Sequence, residues 1–206
     1  MSTPVHPLIP LLTVCFSYIV FLGLLAKLRR ERLSAQFALE ALALTAILAG
    51  VMLTTRFTLH PALNLFLLYV VTMRSRLLTE VGTFFARRGQ FQWADLVFNL
   101  AQRSLPDRNA AGILKINQAV ALIQQERLNE AVAMLEELLK GVGAEYLGAK
   151  HEAALHYNLG IAYRKLQKDA LATVELNKAI EAMPLSEYAL RAERALQEKR
   201  NSTGKS

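Results

Sequence analysis

Residues 159–184 read LGIAYRKLQKDALATVELNKAIEAMP, and residues 81–106 read VGTFFARRGQFQWADLVFNLAQRSLP. Laid over one another, Leu159, Gly160, Tyr163, Ala172, Leu176, Ala179 and Pro184 fall on Val81, Gly82, Phe85, Ala94, Phe98, Ala101 and Pro106. The order has a physical logic. A glycine in one helix and an alanine in the next let the two approach closely. An aromatic side chain fills the space between pairs, and a proline stops the second helix. Seven matched positions in each copy make this one helix-pair unit used twice.

A third, less regular copy lies between them. Ala119, Leu122, Ala131 and Leu135 fit the pattern, whereas Gln118 stands where a large apolar residue is expected and Leu138 where a small one is. No proline closes it, and the anchoring alanines, Ala94, Ala131 and Ala172, are thirty-seven and then forty-one residues apart. Extra residues therefore sit around 141–150. Over about 78–184 the chain resembles the tetratricopeptide repeat, a helix–turn–helix unit of about thirty-four residues. The resemblance implies an all-α fold whose soluble part, 74–200, is an α-solenoid of about three such pairs. A last repeat needs a cap with a polar outer face. The stretch 186–200, with Tyr188, Ala189, Ala192 and Leu196 on one side, is expected to supply it, leaving 201–206 as a flexible tail.

Members of that family commonly bind peptides or helices in a concave groove lined by the first helix of each pair. One version grips a C-terminal carboxylate through basic and Asn side chains. The corresponding positions here are Thr79, Thr83, Asn117, Ala154 and Asn158, of which Asn117 alone matches, so a chaperone-tail clamp is not expected. The middle copy instead carries Ile113, Ile116, Val120 and Ile123 at helical spacing, opposite a packing face of Leu114, Ala119 and Leu122. A helix apolar all round is normally buried. Two readings follow: an open groove that takes an amphipathic partner helix, or a groove the chain fills with its own last helix or with residues 141–150. Tyr157, Arg164 and Lys165 would lie beside it.

Residues 1–73 are of another kind. Apolar stretches at 8–26, 37–53 and 57–73 approach the ~20 residues that cross a bilayer. Lys27, Arg29, Arg30 and Arg32 follow the first stretch, only Arg56 the second, and Arg74, Arg76, Arg87 and Arg88 the third. The positive-inside rule then gives three transmembrane helices, an outside N-terminus and a cytoplasmic repeat domain, with a bacterial inner membrane as the expected setting. A re-entrant hairpin over 37–73, or one helix kinked at Pro61, are the alternatives. Glu40 is the one acidic residue in these stretches, and it is expected to pair with Arg30 or Arg32 or to reach the interface. Asn64 is expected to make a polar contact between helices. From residue 73 to 88 no proline interrupts the chain, so the third span is expected to run straight into the first repeat helix.

Chemistry is sparse. The single cysteine, Cys15, lies in an apolar stretch, and His151 and His156 are five apart, off the i, i+4 spacing of a metal pair. No phosphate loop, nucleophile elbow or carboxylate pair is recognisable, so neither an enzyme nor a cofactor is expected. Net charge is +7, but nineteen basic residues face fifteen acidic ones after residue 73, a mixed surface that does not suggest nucleic acid. The expected function is a membrane-anchored scaffold that binds a peptide or helix of a partner protein. The alternative is a transport or channel accessory subunit acting through its spans.

Overall fold

In the computed structural model, residues 6, 8–28, 34–55, 58–141 and 146–203 are described, and among them the chain is helical, with no strand. The first three helices are α1 (Leu8–Leu28), α2 (Ala35–Thr55) and α3 (Pro61–Arg87), and all three are long and apolar enough to cross a membrane. At ~1.5 Å per residue, the 21 residues of α1 and of α2 each reach about 31 Å, and the 27 of α3 about 40 Å. The ends differ from the expected spans: α1 and α2 are extended by a turn or less, and α3 begins at Pro61. Pro61 occupies its first turn, and His60 Nδ1 caps it by accepting from the Ala62 amide at 3.2 Å.

Two helices separated at residues 58–60 overturn the single kinked helix considered for 37–73. Asn64 Nδ2 donates to the Leu11 carbonyl (3.3 Å), and the Tyr18 and Thr72 hydroxyls meet at 2.6 Å, so α1 and α3 run parallel. α2 runs between them in the opposite sense, with the Cys15 thiol on the Ala41 carbonyl and the Tyr18 ring on Phe37. The bundle core is Cys15, Tyr18, Phe37, Ala41 and Leu68.

α3 continues past Met73 without a break and packs against α4 (Phe91–Arg103). Then come α5 (Arg108–Gln124) against α6 (Leu128–Lys140), α7 (Ala149–Lys165) against α8 (Asp169–Ala182), and α9 (Glu187–Thr203) against α7 and α8. α3, α5, α7 and α9 touch in succession, while α4, α6 and α8 each touch their own partner and the following first helix. α9 runs through Thr203, beyond the start of the expected tail, and residues 204–206 lie outside the described ones.

One turn joins all three pairs. Arg88, Gln125 and Leu166 sit near φ −90, −84 and −80 with ψ of 4, 4 and 6. Gly89, Glu126 and Gln167 follow in the left-handed region (φ 72, 60 and 61). The next amide reaches back to close the first helix: Gln90 to the Phe85 carbonyl (3.0 Å), Arg127 to Leu122 (2.9 Å) and Lys168 to Tyr163 (2.9 Å). This six-to-one bond satisfies carbonyls the helix end would otherwise leave unpaired.

Inside the pairs the small residues act by what they exclude. A Cβ on Gly82 would stand 2.5 Å from two ring carbons of the buried Phe98, and one on Gly160 would stand 2.8 Å from Leu176 Cγ. Ala94, Ala101, Ala131, Ala172 and Ala179 are buried at the same contacts, with Tyr163 closing the space beside them and Phe85 packed partly buried on the first pair. Pro106 and Pro184 each adjoin a left-handed leucine, Leu105 (φ 54) and Leu185 (φ 65), where the chain leaves one pair for the next helix.

Candidate functional site

Two places gather polar or apolar side chains beyond the needs of helix packing: the joint between the bundle and the helical domain, and the inner face of α5 and α7. At the joint, Glu40 on the first turns of α2 meets Arg74 on α3. Arg74 Nη2 donates to Glu40 Oε1 at 2.8 Å, and Nη1 donates to Oε2. Arg30 and Arg32, the partners expected for Glu40, lie outside the described residues. The same guanidinium gives its Nε to the Ser104 carbonyl (2.7 Å), and Gln36 Nε2 donates to both Glu40 Oε1 (2.9 Å) and the Leu105 carbonyl (2.8 Å). Two fixed forks of donors thus tie the start of α2, the middle of α3 and the loop after α4 into one unit. Asn64 is buried at the other end of the bundle, holding α1 to α3.

On the inner face, the isoleucine stripe is turned into the protein. Ile116 is 5% and Ile123 7% exposed, both in the cluster built from Leu135, Leu155, Leu159 and Leu147, with Ile113 packed on its edge. Leu147 comes from the extra residues after α6, and Tyr188 of α9 packs on the same cluster. Ile116 and Ile123 are thus core, whereas Ile113 and Val120 of the same stripe stay half-buried. Tyr188 also rests on Tyr157, ring centroids 5.9 Å apart. Burial raises its phenol pKa first and Glu187 next, and the charges of Arg87 and Glu80 on α3 also reach it. α9 thus lies within electrostatic range of the first helix of the first pair.

Of the remaining groove candidates, Asn117 and Val120 are half-buried, and Asn117 donates to the Ile113 carbonyl one turn back (2.9 Å). Arg164 donates to the Ala195 carbonyl (3.2 Å) and to Glu198 (3.3 Å), holding α9. Lys165 is paired with Glu126 at 2.6 Å, across two of the turns described above. These cations are engaged within the chain.

A pair that sequence spacing hides lies between α7 and α8. His156 Nδ1 and Glu175 Oε2 are 2.6 Å apart, both residues buried, and Lys178 Nζ donates to Glu175 Oε1 at 2.8 Å. Burial pushes the Glu175 carboxyl up, but hydrogen bonds and charge from His156 and Lys178 outweigh it and hold the carboxyl below its ordinary value. The residues are nineteen apart on facing helices, so no local motif announces them. Similarly, Tyr163 donates to Glu136, and its phenol is raised, first by burial and then by that carboxylate. Both arrangements pin neighbouring helices together. Among the described residues no three His, Cys, Asp or Glu side chains gather as metal ligands would. No family model, curated protein or solved structure matches the chain.

Proposed function

We propose that the chain is a membrane-anchored scaffold whose tetratricopeptide-like domain holds a peptide or amphipathic helix of a partner protein beside a bilayer. The observation that carries this reading is the continuity of α3. Its first half belongs to a three-helix bundle apolar enough to span, and its second half is the first element of the helix pairs. Glu40, Arg74 and Gln36 lock the joint, so the domain is carried at a fixed attitude and does not swing on a linker. Such a coupling suits a protein that positions something else.

Three pairs closed by the same left-handed turn support the repeat reading. Lys27, Arg74, Arg76, Arg87 and Arg88 all lie toward the bundle end that carries the domain. Their placement supports a cytoplasmic domain and an outside N-terminus, and the membrane proposed with this reading is a bacterial inner membrane. The partner surface in this reading is what stays accessible on the inner face of α5 and α7, around Asn117, Val120 and Tyr157, narrowed by Tyr188. A transport role would rest on Glu40 and Asn64, yet the first is held by Arg74 and the second by the Leu11 carbonyl.

The test is site-specific photo-cross-linking in intact cells, with the reactive side chain at Val120 of the full chain. The expected result is one defined protein adduct, lost in Asn117→Arg and kept in Glu40→Gln. Adducts to the same chain alone, or an adduct that depends on Glu40, would overturn the reading.

A further inference from the structure

The helix that follows the joint carries more apolar surface than its packing uses. On α4, Ala94, Val97, Phe98 and Ala101 are buried, and Asp95, Asn99 and Gln102 are exposed on the far side. Between these two faces runs a third, apolar and uncovered: Trp93 (58% exposed), Leu96 (56%) and Leu100 (51%), continued by Leu105 (74%). The other pairs supply an internal control. Aligned on the buried alanines Ala94, Ala131 and Ala172, the same three positions are Glu130, Ala133 and Glu137 on α6, and Leu171, Val174 and Lys178 on α8. α6 shows that the pair fold does not require an apolar stripe there; on α8, Leu171 (48% exposed) and Val174 (49%) begin one that Lys178 ends. α4 has one, and α4 belongs to the pair that adjoins the bundle.

Depth along the bundle can be read from its cross-helix bonds. Asn64–Leu11 and Tyr18–Thr72 set α3 against α1 at offsets of 53 and 54 residues. Leu8 is then level with Pro61, and Leu28 with Val81 or Gly82. α1 is about 31 Å long, the thickness of a ~30 Å hydrocarbon core, and its last leucines, Leu24 and Leu28, are exposed. A slab that accommodates α1 therefore covers α3 from Pro61 to about Val81. Ending it at Arg74 would leave α3 with roughly 20 Å of apolar helix, too short for that core. α4 runs back along this same part of α3. Ser75 Oγ donates to the Ala101 carbonyl (3.3 Å), Gly82 faces Phe98, and Arg74 holds the Ser104 carbonyl. The C-terminal half of α4 and Leu105 consequently lie within the depth that α1 defines.

Several polar groups at this depth are satisfied by the protein itself, while Glu80, Gln102 and Arg103 are exposed, away from the apolar stripe or at its edge. Non-helical backbone is tolerated there only when protein satisfies it. The Leu105 carbonyl accepts from Gln36 and the Ser104 carbonyl from Arg74, while Glu40 neutralises Arg74.

We propose that α4 is an interfacial membrane element: Leu96, Leu100 and Leu105 contact acyl chains of the leaflet next to the helical domain, and Trp93 lies at headgroup level. The inference rests on α1–α3 spanning the bilayer and is independent of what the domain recruits. The first helix pair is then partly sunk into the leaflet, and the later pairs stand clear of it.

Trp93 is the single tryptophan of the chain, so the native protein reports on itself. The full chain would be reconstituted in phosphatidylcholine–phosphatidylglycerol vesicles, with lipids brominated either near the headgroup or near the chain end. Trp93 should be quenched by the shallow bromine more than by the deep one, and weakly by aqueous iodide. Moving the probe inward, in Trp93→Phe with Leu100→Trp, should roughly halve emission with bromine lower on the chain, as a deeper position requires. Efficient iodide quenching of native Trp93 with no effect of either bromolipid would overturn the proposal, whether or not the second variant folds. Shielding from iodide and bromolipid alike that disappears on dilution with lipid would overturn it too, assigning the stripe to a second copy of the chain.

Discussion

α4 and α5 are both apolar beyond a single stripe, and they use the excess in opposite ways. On α5 the second stripe is largely core: Ile116 and Ile123 are buried in a cluster that also holds Leu147, from the segment after α6, with Tyr188 of α9 packed on it, and Ile113 and Val120 are half-buried. On α4 it is left open at Trp93, Leu96 and Leu100. Periodicity identifies an apolar face without identifying its occupant. That depends on which elements the topology brings over it. α5 sits mid-stack with neighbours on each side, whereas α4 sits at the end that meets the bundle. The same surplus is core in one place and an outward surface in the other.

The sharpest way to break this comparison is one disruptive substitution on each stripe. Ile116→Asp puts an unpaired carboxylate in the central cluster and should remove about 3–5 kcal/mol, enough to lose the cooperative melt of the helical domain. Trp93→Ala should shift the melt of the detergent-solubilised chain by less than about 1 kcal/mol, since an exposed ring leaves no cavity. Circular dichroism against temperature reads both. Equal losses would mean that the α4 stripe is packed after all.

Next in size are the two glycines at helix contacts. Gly82→Val drives a methyl-bearing carbon into the Phe98 ring, and Gly160→Val drives one into Leu176, whose backbone nitrogen is 3.2 Å from the added Cβ. Each should cost about 1–3 kcal/mol by overpacking. If the first pair is braced by the bundle as the Arg74 joint implies, both losses appear in one shared transition. Separate transitions for the two variants would show that the first and last pairs unfold independently.

The joint itself comes third. Glu40 and Arg74 are about a quarter exposed, so screening reduces their pair from the several kcal/mol of a fully buried one to about 1–2 kcal/mol. Arg74→Gln should also free the Ser104 carbonyl, leaving the Leu105 carbonyl to Gln36 alone, and make the loop 104–107 a site of limited proteolysis. A double-mutant cycle with Glu40→Gln measures the coupling. A value near zero would mean that α2 and the domain are merely adjacent.

These cases also show what a sequence can and cannot disclose. The continuity of α3, the glycine–alanine contacts and a last helix after Pro184 were legible, because each is written in local spacing or in the absence of a breaker. The Glu40–Arg74 and His156–Glu175 pairs were not, because they span thirty-four and nineteen residues and join helices whose approach is settled only by packing. The open α4 stripe was missed for another reason. Trp93, Leu96 and Leu100 adjoin the packing positions, and spacing alone does not separate an exposed apolar face from a wide core face.

Inside the last pair, Glu175 offers a pH handle. Its carboxyl is held below the ordinary value, so the folded state gains stability above the usual carboxylate pKa of ~4.3. That gain disappears as pH falls through the lowered folded value. Glu175→Gln should therefore cost about 1 kcal/mol at neutral pH and flatten the fall of melting temperature on the acid side of pH ~4.3. An acid limb unchanged from wild type would place the acid sensitivity elsewhere.

The smallest expected effect concerns the shared turn. Its left-handed position is glycine in the first pair, at Gly89, but glutamate and glutamine in the next two, at Glu126 and Gln167. A residue with a Cβ pays roughly 1–2 kcal/mol to hold that conformation, while glycine loses about 0.4–1 kcal/mol more chain entropy on folding. Gln167→Gly should thus raise stability by less than about 1 kcal/mol, and Gly89→Gln should lower it by a similar amount. Glu126 is not equivalent, because Glu126→Gly also removes the exposed pair with Lys165, worth little more than a few tenths of a kcal/mol. The gain there should fall below that at Gln167. Melting temperatures of the three variants, compared in one detergent, test whether one backbone conformation governs all three pairs. A loss at Gln167→Gly would show that the side chain, and not the left-handed backbone, decides the energetics of the turn.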